Sequence, residues 1–155
     1  MPSLKVFKPI FIQSGEHSPI NPSNMDDLTF NVLYIEDDII QQKVMEASQK
    51  LLKIKIHSAT MGLAGLALAQ EIKPALILLD TNLPDITGEH LLTLLKEDKK
   101  VSHIPVVIVT SDLLIHEKMQ LWATGRAASA CIMKPLTIPI LTDIFEQLLF
   151  RNLKT

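Results

Sequence analysis

The run Ala75-Leu76-Ile77-Leu78-Leu79, closed by Asp80, constrains this chain more than any other stretch. Five consecutive apolar residues are too few for a helix of ordinary length. They fit a strand buried on both faces, the kind found in parallel sheets covered by helices. Asp80 then stands where the strand runs out. Ligands of open parallel α/β sheets bind at that edge, so its carboxylate is a functional candidate, with loop capping as the structural alternative.

The same punctuation repeats along the chain from Phe30. Val32-Leu33-Tyr34-Ile35 predicts a strand, and Ile40, Val44, Ala47 and Leu51 recur at helical spacing after it. Ile54 to His57 predicts a short strand, followed by a helix through Ala69 that Thr60 can cap and that ends before Pro74, despite the cost of Gly62 and Gly65. After the strand that ends at Asp80, Gly88 starts a helix with Leu91, Leu92 and Leu95 on one face. Ile104 to Val109 is a strand ending in Thr110-Ser111. A helix from Asp112 to Ala123, a strand from Ala130 to Met133 and a last helix from about Pro139 to Asn152 complete the series.

Five strands alternating with helices predict a doubly wound α/β fold, a five-stranded parallel sheet with helices on both faces, flavodoxin-like in type. Its geometry gathers the residues after the strands at one edge. These are Glu36-Asp37-Asp38, Asp80, Thr110-Ser111 and Lys134. Each has a structural reading on its own: acids cap helices, hydroxyls end strands, and a single lysine is usually solvated. Together they place carboxylates beside a hydroxyl and a cation. Magnesium prefers a few oxygen ligands with waters retained, and a carboxylate can attack phosphorus while metal and ammonium neutralise the equatorial oxygens, so the set suits phosphoryl transfer.

Composition narrows the classes. With 155 residues, 47% hydrophobic and 21% charged, one globular domain is expected. A formal charge of -2 provides no basic field for nucleic acid or an anionic membrane. The single cysteine, Cys131, excludes an internal disulfide, and no Cys/His cluster has zinc-ligand spacing. The absence of a span-length apolar run and of a signal-peptide pattern sets a cytoplasmic expectation. His57, His90, His103 and His116 share no spacing and are expected on the surface or in loops. Trp122 is a candidate contact residue with Leu113 and Ile115, or a partly buried aromatic. Residues 1–29 form an N-terminal extension with four of the nine prolines, and within it Val6-Phe7-Lys8-Pro9-Ile10-Phe11-Ile12 is apolar enough to dock on something.

Four pieces of the chain resemble the receiver domain of two-component response regulators, of the stand-alone, CheY-like kind. They are Tyr34-Ile35-Glu36-Asp37-Asp38, Leu79-Asp80-Thr81-Asn82-Leu83-Pro84 with Gly88, Ile104-Pro105-Val106 running to Thr110-Ser111, and Met133-Lys134-Pro135. The resemblance spans about Asn31 to Leu149, and the domain is bounded at residues 30–153. It implies Asp80 as phosphoacceptor, Asp37 as a direct Mg2+ ligand, Glu36 acting through metal-bound water and Asn82 lending its backbone carbonyl. It implies Thr110 as the hydroxyl that turns toward the phosphoryl group, Ser111 contacting it through its N–H, Lys134 as the cationic partner, and a cis peptide at Pro135. Partners would be a sensor histidine kinase or a histidine phosphotransfer protein, docking around Asp38, Gln41 and Leu136, together with a downstream protein target. With the last predicted helix ending near Thr155, a stand-alone relay intermediate or a phosphorylation-switched binder is expected, catalysing only its own phosphorylation and dephosphorylation.

Three departures from the family pattern accompany the resemblance. Cys131 occupies the position of the aromatic switch residue, three before Lys134. The connection from Gly125 to Lys134 is about two residues longer than usual, and Ala75 follows Pro74 where many members carry an acid. Two alternatives follow: a degenerate receiver that binds partners without phosphorylation, and a magnesium phosphohydrolase of the haloacid-dehalogenase type. The latter would carry Asp-x-Asp where this chain has Asp80-Thr81-Asn82.

Overall fold

The computed structural model describes residues 29–123 and 128–150, so all but the last residue of the extension at 1–29 lies outside the described residues. In chain order the elements are β1 (Phe30–Ile35), α1 (Ile39–Leu52), β2 (Ile54–Ala59), α2 (Gly62–Ile72), β3 (Leu76–Asp80) and α3 (Gly88–Glu97). These are followed by β4 (Val106–Thr110), α4 (Leu113–Ala123), β5 (Ala130–Met133) and α5 (Ile138–Phe145), which runs on into a π-helical turn at Glu146–Phe150. All strand pairs are parallel, in the order β2-β1-β3-β4-β5. The doubly wound fold expected from the alternating pattern is present.

β3 shows why a continuous apolar run was needed. Leu76 and Leu78 face one side, packed in a cluster with Met45 and Leu52 of α1 and Leu141, Ile144 and Phe145 of α5. Ile77 and Leu79 face the other side, with Ala69 of α2 and Leu91, Leu92 and Leu95 of α3. Each such side chain contributes roughly 1.5–3 kcal/mol on leaving water, so both faces of the strand hold it in the centre of the sheet.

α2 lies close to the sheet because of its glycines. A Cβ on Gly65 would come within 2.5 Å of Ile35 Cδ1. The propensity cost of that glycine is therefore offset by contact with β1. Thr60 does not cap this helix, correcting the sequence expectation. The N-cap position is Met61, which makes no side-chain cap bond. Asp85 supplies the cap from the loop after β3: Gly62 N–H donates to its Oδ1 at 2.8 Å and Leu63 N–H to its Oδ2 at 2.9 Å.

α1 occupies its expected place with an unexpected face inward. The residues turned to the core are Gln42, Met45, Ser48 and Leu52. Ile40, Val44 and Leu51, the apolar stripe read from the sequence, are 74%, 63% and 75% exposed. Two features fix this rotation. Asp38 caps the helix by accepting from Ile40 N–H and Gln41 N–H, and Gln42 Nε2 donates to the carbonyls of Glu36, which follows β1, and Ala59, which ends β2. Gln42 lies about 200° around the helix from Ile40, so satisfying one turns the other to solvent.

Candidate functional site

β1 and β3 are neighbours in the sheet without being consecutive in the chain. The chain leaves β1 for the edge strand β2 and returns across it, which opens a crevice at the C-terminal ends of β1 and β3. Glu36 follows β1 and Asp80 ends β3, so both acids are delivered to that crevice. An open cleft of about 520 Å³ lies over them, lined also by Asp37, Asn82, Thr110 and Lys134.

Asp80 is at the floor, 4% exposed. Its Oδ1 accepts the N–H of Asn82 at 3.0 Å and its Oδ2 accepts from Lys134 Nζ at 2.8 Å. Glu36, also buried, accepts from Lys134 Nζ at 2.7 Å, from Tyr34 Oη at 3.2 Å and from Asp38 N–H at 3.1 Å. Lys134 stands at the end of β5, where its own N–H donates to Thr110 O, and it is followed by a cis peptide to Pro135. One ammonium thus bridges two buried carboxylates.

The electrostatics follow from that inequality of charge. Burial, with Asp80 alongside, pushes the Glu36 carboxyl up to about 7 against the opposing pull of Lys134. Burial also works against ionisation of Asp80, but the neighbouring Glu36 carboxyl, which takes the proton in its place, and the hydrogen bonds from Lys134 and the Asn82 N–H outweigh it and hold Asp80 below the usual carboxylate range. Lys134 is held above its ordinary value: burial disfavours its charge, and hydrogen bonds to Asp80 and Glu36 more than compensate. Tyr34 is raised by burial and by the Glu36 charge, so its hydroxyl remains a donor.

Asp37 is exposed at the rim, and one carboxylate oxygen each from Glu36, Asp37 and Asp80 lie within 4.8 Å of one another. Three hard oxygen donors from two strand ends, with Lys134 the one cation lining the cleft among the described residues, fit a small dication such as Mg2+.

Thr110 is buried at the end of β4 and accepts from Thr81 Oγ1 at 3.0 Å and Asp112 N–H at 3.1 Å. Ser111 is exposed on the cleft wall. Asp38 and Gln41 line the cleft, and Gln41 Nε2 donates to Asp38 Oδ2 at 3.2 Å, so both also serve the N-terminus of α1. Leu136 is half-buried against the cluster on the α1–α5 side. Cys131 lies on the opposite side of the sheet, 8% exposed among the residues under α2 to α4, and burial pushes its thiol up to about 12. Of the lengthened connection from Gly125 to Lys134, residues 125–127 lie outside the described residues, as does the Trp122 side chain; Leu113 is exposed and Ile115 half-buried.

Sequence reasoning missed Thr81, Asp85 and the hydroxyl of Tyr34. Only Tyr34 left a signal, a phenol within an otherwise apolar strand, which must find a polar partner when buried. Thr81 and Asp85 act on groups 29 and 22 to 23 residues away, and no local pattern marks them.

Comparison with known proteins gives the family and supports the fold. The family model for the response regulator receiver domain matches residues 32–146, and the chain belongs to that family. It is 30% identical over 112 residues to the polar-differentiation response regulator DivK of Brucella ovis, covering 72% of this chain and 89% of that protein. The same match is found with DivK of Brucella abortus. Among solved structures it resembles the chemotaxis protein CheY4 of Vibrio cholerae, with a TM-score of 0.69 and 21% identity over 79% of this chain and 100% of the other. It also resembles the receiver domain of the sensor histidine kinase PA1611 from Pseudomonas aeruginosa, which has a magnesium ion coordinated in its active-site cleft. That match has a TM-score of 0.68 and 20% identity over 78% of this chain and 98% of the other. These two likenesses concern the fold. The chain is thus a receiver domain related to the DivK response regulators, and no helix among the described residues is long and apolar enough to cross a membrane.

Proposed function

We propose that Asp80 accepts a phosphoryl group from the phosphohistidine of a sensor histidine kinase or a histidine phosphotransfer protein. The chain then acts in the cytoplasm as a relay intermediate or as a phosphorylation-switched binder of a downstream protein. The observation that carries this is the placement of Asp80: a carboxyl group at the floor of an open cleft, contacted by Lys134 Nζ and the Asn82 N–H.

In the transfer, an Asp80 carboxylate oxygen forms the new bond to phosphorus as the phosphorus–nitrogen bond of the donor breaks, and the imidazole leaves with the electron pair and takes up a proton. Lys134 faces the site where the phosphoryl oxygens gather charge, and its ammonium is already aimed at Asp80. Asp37 and Asp80 would hold Mg2+ directly, with the Asn82 carbonyl and, through water, Glu36. The ion would supply positive charge to the phosphoryl oxygens. Thr110, next to Asp80 in the sheet and bonded to Thr81, is the hydroxyl that responds, and the N–H of Ser111 is a second contact. The chain turns over no other substrate. Asp38, Gln41 and Leu136 flank the approach of a donor histidine, and the exposed apolar stripe of α1 beside them extends that docking face.

Intact mass after incubation with phosphoramidate, with and without Mg2+, tests the reading. Phosphorylation should require the ion and be lost in Asp80→Asn. A mass gain that persists in that variant, or turnover of generic phosphomonoesters, refutes it. Charged residues at Gln41 and Leu136 should slow transfer from a phosphorylated protein donor while sparing phosphorylation by phosphoramidate.

A further inference from the structure

α1 presents Ile39, Ile40, Val44 and Leu51 to solvent at 59% to 75% exposure, with exposed Ala47 between them. Apolar side chains so grouped along one helix mark a contact surface. The chain itself carries a candidate for it. Phe30 pairs with Ile54 in the β1–β2 register, and Ile54 follows α1 by two residues. The chain therefore enters β1 at the end of α1 that bears Leu51.

Upstream of β1 lies Val6-Phe7-Lys8-Pro9-Ile10-Phe11-Ile12, separated from Phe30 by residues 13–29. A linker of that length has a root-mean-square reach of about 20–25 Å. The 14 residues of α1 extend about 21 Å, so the apolar segment can lie anywhere along the stripe. Charge favours the same placement. Residues 13–29 contain Glu16, Asp26 and Asp27 and no lysine or arginine, while the exposed charges in the body of α1 are Lys43 and Lys50 against Glu46.

We propose that residues 6–12 of this chain dock on the Ile40–Val44–Leu51 stripe of α1. The inference rests on the phosphotransfer reading only for its consequence: a protein donor must displace the segment to reach the cleft, whereas a small donor need not. The apolar extension and the outward stripe of α1 then account for each other.

Full-length chains in a Cys131→Ala background test it directly. Phe11→Cys is combined in turn with Ile40→Cys, Val44→Cys or Leu51→Cys, each pair made also, as its control, with Phe7→Ser and Ile10→Ser. At least one α1 pair should form a disulfide within the monomer roughly tenfold faster than its own control, in which the tether, and hence the effective concentration of an undocked tail, is the same. Equal rates overturn the proposal, and cross-links found only between two molecules assign the stripe to a second copy instead. As a second readout, Phe7→Ser with Phe11→Ser should raise several-fold the rate at which Val44→Cys reacts with a small maleimide; an unchanged rate also overturns the docking. Neither readout involves phosphate, so phosphorylation of the same variants by phosphoramidate reports separately on Asp80.

Discussion

Lys134 Nζ stands 2.7 Å from Glu36 Oε2, a contact between residues 98 apart in the chain. The same ammonium lies 2.8 Å from Asp80 Oδ2. A lysine that bridges two buried acids restrains their repulsion, and the Glu36 carboxyl, pushed up to about 7 by burial, relieves part of the remainder by holding a proton beside Asp80. The site is thereby stable without a metal and still attractive to one.

Lys134→Ala should accordingly destabilise the metal-free protein by roughly 2 kcal/mol, below the range for fully enclosed pairs because the cleft is open to water. Saturating Mg2+ should recover most of that loss, and its affinity should be maintained or tightened. Urea denaturation with and without Mg2+ measures both. A collapse of Mg2+ affinity in the variant would assign Lys134 to the metal rather than to the phosphoryl group.

Gly88 opens α3 against the strand that carries Asp80. A Cβ there would come within 2.7 Å of Thr81 Cα and 3.1 Å of Asp80 O, both parts of the backbone that cannot swing aside. Gly88→Ala should cost about 1–3 kcal/mol by displacing this loop, and should slow phosphorylation by phosphoramidate. Glu89→Ala, one residue on, should remain within about 0.5 kcal/mol in the same assays. Equal effects of the two would show that the contact is not what places Asp80.

Asp85 ties the loop after β3 to the N-terminus of α2, and its carboxylate is held below the ordinary range by the N–H groups of Leu63 and Gly62. Asp85→Ala should speed hydrogen exchange in the first turn of α2 roughly fivefold and lower the melting temperature by several degrees. Asp85→Asn should retain part of the cap. No change in exchange at those amides would mean that Met61 and its backbone suffice.

Cys131 makes stability depend on alkaline pH. Its thiol titrates at about 12 in the folded chain against an ordinary value of 9.0, because burial disfavours the thiolate. Between these values the unfolded chain releases a proton that the folded chain keeps. The contribution is therefore complete below pH 9 and is lost as pH rises toward 12, by on the order of 1 kcal/mol per pH unit. Cys131→Val should lack this decline, so the difference between the two proteins should move in favour of the variant above pH 9. A constant difference from pH 8 to 10.5 would show that the thiol is more open than its 8% exposure suggests.

Much of the architecture is local in origin. Strand runs such as Leu76 to Leu79 and the Leu91–Leu92–Leu95 face of α3 carry their period in consecutive residues, and both occupy the places that period predicts. The gathering of Glu36, Asp80, Thr110 and Lys134 at one edge follows as soon as the strands are parallel, because each residue ends or follows its own strand.

The chain order of β1 to β5, the burial of β3 on both faces and the identity of the acids, hydroxyl and lysine at the sheet edge were determined by the sequence alone, through periodicities of a few residues. The tertiary structure decided which face of α1 is buried, which acid caps α2 and which carboxylates share Lys134. Helical spacing specifies a stripe but not its direction. That direction was set when paired β1 and β2 offered the carbonyls of Glu36 and Ala59 to Gln42, turning Ile40, Val44 and Leu51 to water. In the same way Asp85 meets Gly62, and Lys134 meets Glu36, only after the sheet has brought distant loops together; such hydrogen bonds depend on separation in space and leave no period along the chain.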